Sequence, residues 1–136
     1  MATYNKFNQF IEDLHDKVHH CGTDQFTVFL TNSAPVATNS VIADITEASY
    51  TNCSSRNLTT STHSETSGTY TQLFADLVLT ASGGTVGPFR YVGIFNNTPT
   101  SPADPLVGWY DYGSSITLAD TETFTTDFTT STWTAS

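Results

Sequence analysis

The segment "PFRYVGIFN", residues 88–96, is apolar on both faces when it is read as a strand. Its apolar side chains alternate between the faces, with Phe89, Tyr91 and Phe95 on one and Val92 and Ile94 on the other. Strands with this pattern are covered on both sides. Gly93, in the middle, indicates a bulge or a close neighbour. The segment therefore predicts the central strand of a sheet that is buried on both faces.

Two later segments supply further strands. "LVGWYDYG", residues 106–113, comes after a proline-rich loop, "NNTPTSPADP", and is the expected antiparallel partner of the central strand. "ITLADTETFTTDF", residues 116–128, is apolar at alternate positions and predicts a hairpin with its turn at "ADTE". The residues of this hairpin that we expect to face inward are Ile116, Leu118, Phe124 and Phe128.

The remaining strands are predicted from short apolar runs between turn signals. They are "QFTVFL", residues 25–30, "VIADITE", residues 41–47, and "TQLFADLVLT", residues 71–80. The polar stretch between the last two is predicted to be an exposed loop or a weak edge hairpin. Residues 129–136 are predicted to be a tail or a final edge strand. Strands at intervals of about ten residues predict a mainly β fold, either an antiparallel β-sandwich or a small barrel.

Residues 4–21 have helical periodicity instead. Their apolar residues fall on one predicted stripe, which consists of Phe7, Phe10, Ile11, Leu14 and Val18. Asp13 falls on the opposite, solvent-facing side, and Gly22 suits the end of a helix. We therefore expect one N-terminal amphipathic helix over residues 4–21, packed on a β-rich body that spans residues 25–128.

The composition fits a single β-rich domain over residues 1–136. Twenty-six threonines suit the exposed face of a sheet, and the 12% of aromatic residues can supply a core. Four basic and thirteen acidic residues give a net charge of −9, so we expect no nucleic-acid partner. No apolar run is long enough to span a membrane, and "MATYNKFNQF" lacks the apolar core of a secretory signal. We therefore expect no membrane partner and synthesis in the cytoplasm.

The histidines give a weak metal signal. His15 and His19 are four residues apart, which is the spacing of two histidine ligands on one face of a helix. The zinc-protease pattern needs a glutamate directly after the first histidine, and Asp16 stands there instead. A solvent-exposed helical face with cations near its C-terminal end explains these residues adequately. We expect no bound metal.

Carboxylates and thiols give no stronger signal for chemistry. Asp104, Asp111 and Asp120 lie in or beside loops, where turn-forming roles suit them. Cys21 and Cys53 are too few for a disulfide framework and are expected to be free thiols. The sequence therefore predicts no enzyme activity and no cofactor.

Arg90 is the most unusual residue, because it is a charged side chain in the middle of the apolar central strand. Such a group needs a partner or access to water. Asp111, in the facing segment, is the natural partner for an ion pair, and a role in a subunit contact is the alternative. The aromatic residues around it, Trp109, Tyr110 and Tyr112, are either core residues or a platform on which sugars could stack.

Three segments together cover most of the chain: "MATYNKFNQFIEDLHDKVHHCGTDQFTVFLTNSAPVATNSVIADITE", "DLVLTASGGTVGPFRYVGIFNNT" and "PLVGWYDYGSSITLADTETFTTDF". Their distinctive parts are the N-terminal helix, the "LTNSAPVA" turn, the "GPFRY" strand and the "DYGSSITLADTETF" hairpin. With these parts the chain resembles a set of small structural proteins of tailed bacteriophages. The similarity is weaker over residues 50–68 and in the proline-rich loop.

The resemblance implies a virion component made in the bacterial host cytoplasm. Together with the small size and the acidic charge, it leads us to expect a capsid decoration (cement) protein on the outer head surface, which binds the major capsid protein and itself as a homotrimer. Two other virion roles stay open: a tail-fibre or receptor-binding module that recognises carbohydrate, and a tail-tube or head–tail joining component. The expected contacts with subunits or with the capsid are Arg90, Asp111, Trp109 and Trp133.

Overall fold

The structure of the chain, a computed structural model, describes residues 2–128 and 132–135. Within these ranges it has one α-helix, α1 (Gln9–His15), and one 3-10 helix (Ile42–Asp44). Its strands are β1 (Tyr4–Lys6), β2 (Phe26–Thr31), β3 (Thr60–Thr66), β4 (Thr69–Phe74), β5 (Leu77–Thr80), β6 (Val86–Asn96), β7 (Leu106–Leu118), β8 (Thr123–Thr126) and β9 (Trp133–Ala135).

The strands form antiparallel sheets in a sandwich-like arrangement. The largest sheet has the strand order β1-β7-β6-β2, the second has the order β3-β4-β9, and the third pairs β5 with β8. The predicted mainly β fold with antiparallel pairing and one α-helix is therefore confirmed. The predicted pairing of the central strand with residues 106–113 is also confirmed, because Tyr91 faces Asp111 and Gly93 faces Trp109 in the β6–β7 register.

The main core lies between the four-stranded sheet and the two smaller sheets. Its buried residues come from all three sheets and from the helix, and they include Phe10, Phe26, Val28, Leu30, Phe74, Leu79, Val92, Ile94 and Trp133. Full burial of one such side chain contributes about 1.5–3 kcal/mol. The two faces of the sandwich are therefore held together mainly by aromatic and aliphatic contact.

A second cluster covers the outer face of the four-stranded sheet. It consists of buried Phe7, Phe29, Phe95 and Leu106, with Ile42, Ile45 and Trp109 packed against them. The 3-10 helix and the start of the chain therefore act as a cover for this face. Because apolar residues cover β6 from both sides, the prediction of a strand that is buried on both faces is confirmed.

Gly93 is required by the close approach of an aromatic ring. Phe29 lies directly opposite Gly93 in the β2–β6 register, and a Cβ added at Gly93 would lie 2.0 Å from the Phe29 ring. The same arrangement occurs on the other face, where the ring of Tyr4 lies over Gly108. Both glycines give an aromatic ring a flat backbone to pack on, so the close neighbour predicted for Gly93 is confirmed.

The helix is much shorter than the predicted range of residues 4–21. Residues Tyr4–Lys6 do not join the helix. They form β1 and pair with the edge of β7, which offers their backbone groups hydrogen-bond partners. Lys17 has a positive φ of 62°, which ends the helical conformation. Asp13, predicted to face solvent, is buried, whereas Ile11 of the predicted apolar stripe is exposed.

Two further predicted elements have a different form. Residues 41–47 were expected to be extended, but Asp44 accepts backbone hydrogen bonds from Ser40 and Val41 and stabilises the 3-10 helix Ile42–Asp44. Residues 71–80 were expected to be one strand, but the structure divides them between β4 and β5. The polar stretch before them contains β3, which forms an exposed hairpin with β4 and confirms the hairpin interpretation.

The predicted hairpin at residues 116–128 is wrong in its pairing. Within the described ranges, β7 pairs with β6 and β1, whereas β8 pairs with β5. The chain therefore passes from one layer of the sandwich to the other at the predicted "ADTE" turn. There the Ala119 carbonyl accepts a hydrogen bond from the Glu122 backbone, and the Glu122 carboxylate accepts one from the Ala119 backbone.

The predicted faces of the central strand are correct only for its C-terminal part. Register irregularities lie between Val86 and Phe89 and between Phe89 and Tyr91. They turn Phe89 into the main core, on the side of Val92 and Ile94, instead of the side of Phe95. A bulge shifts the alternation by one residue, and a strict period of two cannot anticipate it.

The C-terminal end includes an edge strand. Trp133–Ala135 form β9 and pair with β4, as the edge-strand interpretation of residues 129–136 predicted. Residues 129–131 and 136 of that prediction lie outside the described ranges. In the part of the chain that is described, no helix has both the length and the apolar character of a membrane span.

The contact between Phe29 and Gly93 leads to a first prediction. We expect Gly93→Ala to destabilise the fold by about 1–3 kcal/mol, because the new methyl group must displace a fully buried ring. Urea unfolding of the single and double variants measures this. In Phe29→Leu the same glycine substitution should cost less, because the smaller side chain leaves room for the methyl group. Equal costs in the two backgrounds would contradict this explanation.

Candidate functional site

Arg90 and Asp111 form the ion pair that the sequence predicts. Arg90 Nε and Nη2 donate to Asp111 Oδ1 and Oδ2 over 2.8 and 3.0 Å, which makes the contact bidentate. About 40% of each side chain is exposed, so the pair lies on the surface of the sheet. The hydrogen bond from Arg90 lowers the pKa of the Asp111 carboxyl, and the Gly113 backbone N–H adds to this effect. The pair is intramolecular, and its use in a subunit contact stays a prediction.

The three aromatic residues around Asp111 do not form one platform. Trp109 faces the second cluster, where its ring centroid lies 4.5 Å from that of Phe7. Tyr110 and Tyr112 lie on the other side of β7, because successive strand residues point to opposite faces. A sugar-stacking surface made of all three residues is therefore excluded by the alternation of the strand.

Trp133 belongs to the main core. Its side chain is 7% exposed, and its ring contacts the rings of Phe10, Phe26 and Phe74. The predicted role of Trp133 as a contact residue for a partner does not fit this burial. The indole Nε1 is one of a few buried polar side-chain atoms without a hydrogen-bond partner among the described residues.

His19 lies in a buried polar cluster that joins the helix region to β6. Asn96 Nδ2 donates to His19 Nδ1 over 3.0 Å and to Asp24 Oδ2 over 2.7 Å. His19 Nδ1 therefore acts as an acceptor, and the ring proton of the neutral form is on Nε2. Nε2 faces Asp13 Oδ2 at 4.0 Å, which is too long for a hydrogen bond.

Burial sets the titration of this cluster. It lowers the pKa of His19 to about 4, although the nearby negative charge of Asp24 opposes the shift. Burial also raises the pKa of Asp13, whereas the hydrogen bond from Gln9 acts in the opposite direction. The rings of Phe10 and Phe26 pack against His19, so the histidine side of the cluster lies inside the core.

His15 and His19, whose spacing gave the weak metal signal, lie apart in the fold. His15 Nδ1 bonds the carbonyl of Ile11 on the helix surface, whereas His19 lies in the core. Residues 2–128 and 132–135 contain no group of three or more His, Cys, Asp or Glu side chains placed to hold a metal ion. Cys21 and Cys53 are both free thiols, and burial raises the pKa of each.

The remaining loop carboxylates have structural contacts. Asp120 Oδ1 accepts the backbone N–H of Gly83, which ties the glycine-rich turn to the turn after β7. Asp104 has a positive φ of 51°, and its carbonyl accepts the backbone N–H of Ile42. The turn-forming roles predicted for these residues fit both observations.

An aromatic groove opens at one side of the sandwich, between the strand pair β1–β7 and strand β8. We define it by the rings of Tyr4, Tyr110, Tyr112, Phe124 and Phe128, and its volume is about 530 Å³. Val28, Val92 and Ile94 also line it, together with Ala2, Asp127 and several threonines. Small-molecule sites have volumes of roughly 300–1,000 Å³ and a largely apolar lining with a few polar groups. The groove has the dimensions and the lining of such a site.

Sequence reasoning did not find the aromatic groove. The sequence predicted that Phe124 and Phe128 face inward, and both pack against the main core. The predicted hairpin gave no reason to expect open space between them and Tyr110 and Tyr112. The open space exists because β7, before the turn, and β8, after it, belong to different sheets. No local pattern in the sequence records that separation.

The outer edge of β3 is a second candidate surface. In the order β3-β4-β9 this strand is terminal, and no described strand pairs with its outer side. Six of its seven residues are exposed, and the strand "TSTHSET" contains no lysine, arginine or proline. Proteins commonly place lysine or proline on an edge to prevent strand addition. The backbone groups of β3 are therefore accessible to a partner.

Comparisons of the chain with protein-family models, with curated proteins and with solved structures give no match.

The buried His19 leads to a prediction about pH. Unfolded His19 takes up a proton near its ordinary pKa of about 6.5, whereas the folded protein does so only near 4. The unfolded state therefore binds more protons between these values, and this histidine should cost about 2 kcal/mol of stability between pH 7 and pH 5. Asp13 acts in the opposite direction, because its raised pKa favours the protonated folded state at acid pH.

Urea unfolding at several pH values of the wild type and of His19→Gln measures the contribution of His19. We expect the stability of His19→Gln, whatever its value at pH 7, to fall less towards pH 5 than that of the wild type. His20→Gln is the matched control, because its side chain is exposed on the neighbouring position. The prediction fails if the His20 variant flattens the profile as much as the His19 variant does.

The Arg90–Asp111 pair leads to a second titration experiment. Replacing Arg90 by Gln should raise the pKa of Asp111 part of the way to its ordinary value, because the Gly113 N–H bond remains. NMR titration of the Asp111 carboxyl carbon would measure the change. Lys17→Gln, which removes an exposed cation elsewhere in the chain, should leave the titration of Asp111 where it is.

Proposed function

We propose that the chain is a structural protein of a tailed-bacteriophage virion and acts as a capsid decoration protein on the outer head surface. The proposal starts from the similarity of the "LTNSAPVA", "GPFRY" and "DYGSSITLADTETF" segments to small phage structural proteins. In this role the chain is a homotrimer that binds the major capsid protein and works by the surfaces that it presents.

The observation that carries the proposal is the outer edge of β3, which no strand among the described residues pairs with. An extended segment of a partner can add to such an edge through backbone hydrogen bonds, which is a common mode of peptide recognition. The hairpin of β3 and β4 presents this edge outward, and the Ser67–Gly68 turn, with φ values of 52° and 84°, fixes its tip. A rigid edge loses little conformational freedom when a partner binds.

The scaffold and its charge support the same role. The two long strands β6 and β7 give a stiff centre, and hydroxyl side chains cover much of the exposed surface. A net charge of −9 opposes contact with packaged DNA and favours a position outside the head. A protein that binds many capsid subunits stabilises the assembled shell through many weak contacts.

The role of the β3 edge can be tested with Thr62→Lys/Ser64→Lys. Lysines on an edge strand oppose strand addition, so we expect at least about a tenfold loss of binding to undecorated capsids. Co-sedimentation with capsids of the phage that encodes the chain measures the binding. Asn32→Lys/Thr38→Lys adds the same charge at exposed positions elsewhere and should bind as the wild type does.

Folding of both double variants is checked by circular dichroism and thermal unfolding. A folded Thr62→Lys/Ser64→Lys variant that still binds capsids as tightly as the wild type would overturn the role of the β3 edge. If the wild type itself does not bind capsids, the decoration role is wrong.

Mass measurement in solution distinguishes the rival virion roles. Three copies support the decoration role, whereas rings of six or twelve support a tail-tube or head–tail joining role. Cryo-EM of the virion then gives the location directly. Density in the tail together with a positive glycan array would support the receptor-binding role instead.

A further inference from the structure

The aromatic groove has a lining suited to one class of ligand. Five aromatic rings face a space of about 530 Å³, and they come from β1, β7, β8 and the residues next to β8. Asp127 is the one lining residue with a formal charge at neutral pH among those that the structure describes. No lysine, arginine or histidine lies among them. The site is therefore rich in aromatic faces and carries a single negative charge.

The rings are tilted relative to one another, as the walls of a cage are. Tyr112 and Phe124 are nearly perpendicular, at an angle of 72° with centroids 5.4 Å apart. Tyr110 and Phe128 meet at 59° with centroids 6.5 Å apart. Rings at such angles direct their faces to different sides of a shared space. A bound group can contact more than one ring at once.

The electrostatics of the groove select for positive charge. The face of an aromatic ring carries negative potential and attracts cations, and aromatic cages of this kind hold quaternary ammonium groups. Burial raises the pKa of Tyr110 to about 12, so its hydroxyl stays neutral at physiological pH. The Asp127 carboxylate and the net charge of −9 add long-range attraction for cations and repulsion for anions.

We propose that the aromatic groove is a binding site for an organic cation of the quaternary ammonium class, such as a trimethylammonium group. The methyl groups contact the rings of Tyr110, Tyr112 and Phe124, and Asp127 at the rim balances the charge. A fatty acid or a phosphate fits poorly, because no cationic side chain lines the groove among the described residues. This inference depends on the groove alone and is independent of the decoration role.

Choline and its uncharged isostere 3,3-dimethyl-1-butanol provide the test, because they have nearly the same shape and differ in charge. NMR titration of the full chain should show saturable shifts of backbone signals in β7 and β8 with choline. We expect the isostere to bind at least about tenfold more weakly, which corresponds to about 1.4 kcal/mol of cation–π and charge attraction.

Variants at the groove assign the interaction to its residues. Tyr112→Ala should weaken choline binding, whereas Tyr112→Phe should retain it, because the ring and not the hydroxyl makes the contact. Tyr112 is 52% exposed, so both variants should fold. Asp127→Asn should weaken the binding of choline but not that of the isostere. Tyr91→Ala, a tyrosine of β6 outside the groove, is the matched control and should bind choline as the wild type does.

Three results would overturn the proposal. The first is the absence of saturable shifts with choline, and the second is equal binding of choline and the isostere, which would make the groove merely apolar. The third is unchanged choline binding in a folded Tyr112→Ala variant. Loss of capsid binding has no bearing on any of these measurements, so the two proposals can fail separately.

Discussion

The fold depends on the burial of β6 from both sides. On one face, Phe89, Val92 and Ile94 enter the core between the sheets, and on the other Phe95 enters the aromatic cluster under the 3-10 helix. Gly93 permits this arrangement, because its missing side chain makes room for the ring of Phe29. A strand with two apolar faces is stable only where both are covered. The start of the chain and the segment around the 3-10 helix are therefore parts of the core and not additions to it.

The passage of the chain from one layer to the other after β7 shapes the surface beside β8. β7 continues along β6 as far as Leu118, and after the turn the chain joins β5 in the opposite layer. The two layers therefore part beside β8, and aromatic side chains that a hairpin would have enclosed line an open groove. The same crossing between the layers thus accompanies the open aromatic groove.

Polar side chains in this protein lie both in the core and on the surface. The buried cluster of His19, Asn96 and Asp24 fixes the helix region against β6, and desolvation holds its histidine neutral. The exposed polar residues include many threonine and serine hydroxyls on strands and loops. The free β3 edge and the aromatic groove lie in different parts of the fold, so one partner could occupy either without the other.

The sequence alone determined the features that depend on side-chain alternation and charge in the central strand and its partner, residues 106–113. It predicted the two-faced central strand, its pairing with residues 106–113, the close neighbour of Gly93 and the partnership of Arg90 with Asp111, because alternation and charge are local signals. Only the tertiary structure decided the length of the helix, since the edge of β7 takes Tyr4–Lys6 as a strand. It also decided the burial of Trp133 and Asp13, and the opening of the groove. These features depend on which elements pack against each other in the folded chain. Sequence periodicity predicts which face of an element is apolar, but it does not predict which other element covers that face.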